Sequence, residues 1–280
     1  MMVTTLVNGQ PQSTLSSVDR GLLYGDGLFE TLRIINGQPI AWERHLTRLY
    51  GGCERLLIAP PDPPQLAEWA RALCMGVGAG VLKIIVTRGV GGRGYRPPPP
   101  SATTPTVILQ RHPMPEYPPH FWEEGIGLRL CQTRLGQNSA LAGLKHLNRL
   151  EQVLARAEWD DVAFPEGLML DYAGNVIEGT MTNLFMVKGD ILYTPKLDEC
   201  GVAGIMRLRI LEQAHAWSIP LYEDRLTLEQ LAQADELFVT NSLVGIWPVN
   251  TFDQTCYGRG PLTSRLMAAI GSPDVVPPLP

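Results

Sequence analysis

Four prolines fall between Arg111 and Pro119, in RHPMPEYPP, with few apolar groups among them. Proline brings no amide hydrogen to a ladder and clashes with the preceding turn of a helix, so neither a helix nor a central strand runs through this stretch. The chain is expected to divide there, with a smaller N-terminal α/β domain over 1–111, a linker over 112–124 and a larger C-terminal domain over 125–280. A length of 280 residues suits two such bodies, each burying its own core.

On the N-terminal side, stretches of period two alternate with helical ones. Residues 4–7 read as a short strand ended by Asn8-Gly9. Residues 29–35 and 38–42 flank Asn36-Gly37 as a β-hairpin, since Asn-Gly suits a tight two-residue turn. From Glu43 the spacing of Leu46, Leu49, Cys53, Leu56 and Leu57 predicts a helix with one apolar stripe. The prolines at 60–64 are expected to break it, and residues 65–75 supply a second amphipathic helix. Residues 81–87 and 106–110 are strand candidates. Between them RGVGGRGYRPPPP reads as a loop whose arginines are on display rather than packed.

Beyond the linker, residues 127–133 are expected as a strand, followed by a helix over roughly 146–159 that buries Leu147, Leu150 and Leu154. Residues 163–170, 182–187 and 191–193 look like strands, the last after a turn at Gly189-Asp190. A glycine-started helix is expected over 201–217, stopped by Pro220, and Thr227 with Gln230 forms a capping-box pattern for a short helix at 228–232. Residues 236–240 and 244–249 read as strands, 262–270 as a closing helix, and SPDVVPPLP as a frayed tail. Hairpins and helix-connected strands together indicate an α/β or α+β chain with mixed sheets.

Composition removes several function classes. A formal net charge of -5 without a basic stripe leaves no footprint for a nucleic-acid backbone. No apolar run approaches the roughly 20 residues that cross a bilayer, and MMVTTLVNGQPQS lacks the features of a signal peptide. The five cysteines are dispersed with no CxxC pair, which favours reduced thiols and a cytoplasmic protein. The five histidines include no HExxH, so no metal site is expected.

Several residues are candidates for chemistry. Lys145, in LAGLKHLNRL, is either a desolvated amine able to act as nucleophile and proton carrier or a lysine snorkelling from a helix start. Glu178, between Val176-Ile177 and small residues, is either a partner for a protonated ring nitrogen or a strand-end surface acid, and Asn183 either orients it or fills a turn. The glycines of GVAGIMR (201–207), without the GK[ST] ending of a Walker motif, either let backbone N–H groups converge on an anion or simply start a helix. Ser242 either donates to the same anion or closes a turn. Arg48 either grips a phosphate or pairs with Glu43 or another acid. Arg88 and Arg93, in the glycine loop, either meet a small carboxylate substrate or are simply solvent-exposed.

Five ordered segments, SVDRGLLYGDGLFETLRI, VTRGVGGRGY, GLKHLNRLEQVLAR, VIEGTMTNLF and GVAGIMR, together resemble the fold-type IV pyridoxal-phosphate enzymes. That class holds branched-chain and D-amino-acid aminotransferases and the aminodeoxychorismate lyases, and the resemblance is most specific to the lyase branch. It implies pyridoxal 5′-phosphate as cofactor, bound covalently by Lys145, with Glu178 at the pyridine nitrogen. It also implies a phosphate cup formed by Arg48, the backbone N–H groups of Ile205 and Met206, and Ser242. Phe29 stands where some members carry tyrosine, and Leu243 departs from members with two adjacent hydroxyl residues. The implied reaction releases pyruvate from 4-amino-4-deoxychorismate to leave 4-aminobenzoate, with Arg88 and Arg93 on the substrate carboxylates. The implied assembly is a homodimer. An aminotransferase for D- or branched-chain amino acids would use the same lysine and acid.

Overall fold

The computed structural model describes residues 4–271. The tail expected to fray, 272–280, lies outside the described residues. The chain forms two units: Met1–Pro115 with Leu144–Asn148, and Glu116–Gly143 with Arg149–Pro280. The division at Pro115 falls inside the proline-rich stretch, but the five residues 144–148, expected in the C-terminal domain, belong to the first unit.

In the first unit, β1 (Thr5–Val7), β2 (Gln10–Pro11), α1 (Arg20–Tyr24), β3 (Gly27–Ile35), β4 (Gln38–Pro39), α2 (Trp42–Leu56), α3 (Pro63–Cys74), β5 (Ala79–Thr87) and β6 (Thr106–His112) follow one another. The strands make one sheet in the order β2-β1-β6-β5-β3-β4, antiparallel throughout. Both expected Asn-Gly turns are present, with φ of 48° at Asn8 and Asn36 and of 76° and 79° at Gly9 and Gly37. The left-handed conformation at both central residues matches the twist of a hairpin. The second hairpin strand stops at Pro39, because Trp42 already belongs to α2. The break after α2 is present as expected, and Pro63 and Pro64 themselves begin α3, two residues ahead of the expected start. Their missing amide hydrogens cost nothing in a first turn, and Asp62 accepts from Gln65 N–H as the cap.

Strand alternation in β3 sorts its side chains. Leu28, Glu30, Leu32 and Ile34 are buried, whereas Phe29, Thr31 and Arg33 lie on the other face and are half-buried. Leu46, Leu49 and Cys53 form the buried stripe of α2, which packs on β3. Each fully buried leucine or isoleucine here contributes roughly 1.5–3 kcal/mol relative to exposure.

The helix expected over 146–159 is the largest departure. Phe29 N–H donates to Lys145 O at 2.9 Å, and Leu147 N–H to Gly27 O at 3.0 Å, so this stretch is an extended partner of β3. A backbone engaged in that ladder cannot also form helical bonds. Helix α5 is therefore only Leu150–Arg156, and Leu150 and Leu154, expected in the core, are 76% and 60% exposed.

The second unit comprises α4 (His120–Glu123), β7 (Ile126–Leu130), α5, β8 (Glu166–Leu170), β9 (Val176–Gly179), β10 (Asn183–Lys188), β11 (Ile191–Pro195), α6 (Ile205–Ala216), β12 (Leu221–Asp224), α7 (Leu228–Ala232), β13 (Glu236–Asn241), β14 (Gly245–Phe252), β15 (Thr255–Cys256) and α8 (Pro261–Leu266). Its sheet is mixed, in the order β12-β11-β10-β13-β14-β7-β8-β9, and β9 pairs back onto β10 through Asn183 and Glu178. That closing pair brings two candidate residues side by side. Trp247 and the stacked Phe185–Phe238 pair, with ring centroids 5.0 Å apart, are wholly buried in this unit. The capping box of Thr227 and Gln230 is present. Two units built on an antiparallel and a mixed sheet constitute the mixed α/β architecture anticipated.

Candidate active site

The first unit carries an amine. Lys145 Nζ lies 4.2 Å from the centroid of the Phe29 ring, and Lys83 Nζ lies 5.5 Å from the same centroid. Phe29 points this way because β3 alternation sends it opposite Glu30, while β5 sets Lys83 across from Thr31. An aromatic face attracts ammonium groups, so the phenyl ring holds Lys145 without a hydroxyl. Lys145 is half-buried and held through its own carbonyl, which favours an amine in a defined place.

On the buried face of β3, Glu30 organises two α2 side chains. Arg48 Nε donates to Glu30 Oε1 at 2.8 Å and its Nη2 donates to Oε2, while His45 Nδ1 lies 2.6 Å from Oε2. Arg48 thus pairs with an acid other than Glu43, and one guanidinium edge faces Glu30 in a bidentate fork. Burial pushes the Glu30 carboxyl upward, but hydrogen bonds from His45 and Arg48 outweigh it and hold the group below the usual carboxylate range. Burial drives His45 downward past the opposing pull of Glu30, and the charges of Arg48 and Lys145 add to the fall. A neutral His45 donating through Nδ1 satisfies both groups. Glu30 and His45 escaped the sequence reading, although the alternation Leu28, Glu30, Leu32, Ile34 places an acid among apolar residues. That irregularity was the available signal.

The glycine loop corrects another expectation. Arg88 is not on display but 5% exposed. Its Nε and Nη2 donate to Asp26 at 2.7 and 3.0 Å, Nη2 also donates to Leu56 O at 2.7 Å, and Nη1 donates to Leu57 O. These bonds tie the loop base to Asp26 and to the last carbonyls of α2, so Arg88 is structural. Arg93 is exposed and makes no side-chain hydrogen bond or ion pair among the described residues.

The second unit carries an acid and a helix start. Glu178 is 4% exposed, and its Oε2 accepts from Val202 N–H at 2.8 Å and from Asn183 Nδ2 at 3.5 Å. Asn183 Nδ2 also donates to Val202 O at 2.8 Å, so this side chain orients both the acid and the backbone ahead of α6. Its Oδ1 would lie 2.1 Å from a Cβ on Gly204, the N-cap of α6, which explains glycine there. Helix α6 has no side-chain cap, so the N–H groups of Ile205 and Met206 face the end of a helix dipole without one. Arg149 lies near enough for Glu178 to support its charge, although burial lowers its pKa more strongly.

A second buried acid braces this region. Glu166, 0% exposed, accepts from the N–H groups of Gly167, Thr180 and Met181 and from the hydroxyls of Thr180 and Thr182. The turn after Glu178 is thereby fixed, and Asn241 Nδ2 reaches it by donating to Met181 O at 3.3 Å. Asn241 Oδ1 in turn accepts from Leu243 and Val244 N–H at 2.9 and 3.0 Å, shaping the turn that carries Ser242. Four cysteines, Cys53, Cys74, Cys131 and Cys200, are buried, and burial pushes their thiols up to about 12, 11, 12 and 12. Such thiols are poor nucleophiles. Among the described residues no group of three or more His, Cys, Asp or Glu could hold a metal ion, and no helix is long and apolar enough to cross a membrane.

The first unit therefore sets Lys145 against Phe29 and, from the other face of β3, pairs Arg48 with Glu30, while the second joins Glu178 through Asn183 to the backbone at Val202, ahead of the α6 start at Ile205 and Met206. A family model for amino-transferase class IV matches residues 27–252. An aminodeoxychorismate lyase of Vibrio harveyi is 38% identical over 272 residues, covering 95% of this chain and 99% of that protein. A putative branched-chain-amino-acid aminotransferase of Methanocaldococcus jannaschii is 33% identical over 250 residues, covering 87% and 84%. The crystal structure of 4-amino-4-deoxychorismate lyase from Pseudomonas aeruginosa superposes with a TM-score of 0.90 at 48% identity, covering 95% of this chain and 97% of that one. The chain belongs to the amino-transferase class IV family, the fold-type IV enzymes, and is closely related to aminodeoxychorismate lyases within it.

Proposed function

We propose that the chain is an aminodeoxychorismate lyase that uses pyridoxal 5′-phosphate to convert 4-amino-4-deoxychorismate into 4-aminobenzoate and pyruvate, as a cytoplasmic homodimer. The observation that carries the reading is the Lys145 amine, fixed by its backbone to β3 and by its Nζ over Phe29, in a chain 48% identical to such a lyase. The donor set fits the cofactor. In the first unit Lys145 offers a covalent anchor and Arg48 a cationic group for a phosphate; in the second the start of α6, without a side-chain cap, offers N–H groups for a phosphate and buried Glu178 a carboxylate for a ring nitrogen. Ser242 adds a hydroxyl to the phosphate group of donors.

When bound, the cofactor supplies an electron sink for the carbon that carries the substrate amine. Lys145 Nζ takes the proton from that carbon. The bond to the enolpyruvyl oxygen then breaks as the six-membered ring becomes aromatic. Lys145 Nζ, now an ammonium, returns its proton to the departing enolpyruvate, which tautomerises to pyruvate. Glu178 holds the opposing charge in place through Val202 N–H and Asn183, so little reorganisation accompanies the step. With Arg88 committed to Asp26, the carboxylate role falls to Arg93.

Purified protein should release one pyruvate per aminodeoxychorismate with no keto acid added; turnover that requires an amino acid and keto acid pair would establish the aminotransferase instead. Glu178→Gln should slow proton abstraction by on the order of 10²-fold or more and weaken cofactor retention. Deuterium exchange at the amine-bearing carbon and spectroscopic titration of the cofactor measure the two effects. Unchanged exchange in the variant would remove Glu178 from the chemistry.

A further inference from the structure

The motif SVDRGLLYGDG contains a buried arginine that the chemistry above does not use. Arg20 is 2% exposed and opens α1, far in sequence from the glycine loop. Its Nε donates to Asp26 Oδ2 at 2.9 Å. Its Nη1 donates to Gly94 O at 2.9 Å and Gly92 O at 3.3 Å, and Nη2 to Tyr95 O at 3.4 Å. One guanidinium thus grips carbonyls on both sides of Arg93. Tyr24, one turn along α1, completes the clamp. Its hydroxyl accepts from Gly94 N–H at 3.1 Å, its ring lies 5.7 Å from that of Tyr95, and the Arg20 guanidinium sits 4.7 Å above it.

The glycines of the loop fit this clamp. A Cβ at Gly91 would meet Arg20 Cδ at 2.6 Å, and one at Gly89, where φ is +85°, would meet Thr104 O at 2.1 Å. Glycine is therefore required where the arginine passes and where the loop leaves β5. Asp26 serves two arginines. Burial raises its carboxyl, but hydrogen bonds from Arg88 and Arg20 outweigh that and keep it ionised.

We propose that Arg20 is a positioning residue for Arg93: by holding the carbonyls of Gly92, Gly94 and Tyr95 it sets the loop so that the exposed Arg93 meets a carboxylate of the substrate. The proposal rests on the assignment of Arg93 made above. A lysine at position 20 keeps the charge opposite Asp26 but lacks the fork that spans several carbonyls.

Two measurements on the full-length holoenzyme test it. Trypsin cleavage after Arg93 should be at least about tenfold faster in Arg20→Lys than in the parent, since lysine cannot rebuild the charge-assisted bonds to several carbonyls, with a thermal midpoint within a few degrees. In steady-state kinetics Arg20→Lys should raise KM for aminodeoxychorismate about tenfold and leave kcat within about twofold. In an Arg93→Ala background the same substitution should add nothing. An unchanged cleavage rate would overturn the clamp, and an additive KM effect in the double variant would overturn the link to Arg93. Absence of pyruvate from the parent enzyme would instead overturn the lyase reading. In that event the cycle is run on the carboxylate-bearing amino acid that is turned over, with the same two criteria.

Discussion

Lys145→Ala is expected to lower pyruvate release by on the order of 10⁴-fold, since in the proposed mechanism one amine serves as covalent anchor, base and acid. Borohydride reduction should leave no covalently bound cofactor in the variant, whereas peptide mapping of the parent should place the label on Lys145. The fold should survive. The segment is held by its backbone, through Phe29 N–H to Lys145 O and Leu147 N–H to Gly27 O, and alanine keeps both bonds. A variant with normal circular dichroism and full activity would end the proposed mechanism. Added methylamine offers a further check, because a small amine that restores part of the rate acts in place of Nζ and not on folding.

Glu30→Ala is the second large effect, and its origin is electrostatic. Glu30 is 1% exposed and shared by Arg48 and His45, so its removal takes the carboxylate away from the half-buried Arg48 guanidinium and the buried His45 ring. Breaking a buried pair by deleting one partner costs roughly 3–5 kcal/mol, which urea unfolding should report as a lowered midpoint. Arg48 would also lose its orientation, and cofactor affinity should fall, measured by titration of the apoprotein. Glu30→Gln keeps the shape and should lie between parent and alanine variant. A midpoint unchanged in both would show that the pair is not stabilising.

Acid should act on the same cluster. The Glu30 carboxyl is held below its ordinary value in the folded protein, so the stability it contributes is present above about 4 and is lost as pH falls through the lowered value. His45 is also lowered, so it favours the fold above about 6.5 and gives up that contribution as pH falls below it. Both signs predict a weaker first unit in acid. Glu30→Gln should flatten the part of the profile below about 4.

Local rules accounted for much of the chain. The Asn-Gly turns follow from residues that tolerate positive φ, and the Thr227–Gln230 box from two side chains three positions apart. The α2 stripe follows from helical spacing, and the ordered motif set pointed to the family that the comparisons establish. Each depends on neighbours within a few residues, or on a pattern that survives in order along the chain.

Other features depended on partners distant in sequence. The same local apolar spacing that suggests a helix over 146–159 is overridden by a ladder to β3, more than one hundred residues earlier. Loop composition suggested an exposed Arg88, but Asp26 and the carbonyls of Leu56 and Leu57 at the end of α2 lie where it can bury its charge with four hydrogen bonds made. Glu30 drew no notice within its strand, and its role appears only where α2 brings Arg48 and His45 onto it. The sequence by itself determined the turns, the periods and the family; only the tertiary structure decided which charges are buried, because burying a charge is tolerable only where partners from elsewhere in the chain arrive to compensate it.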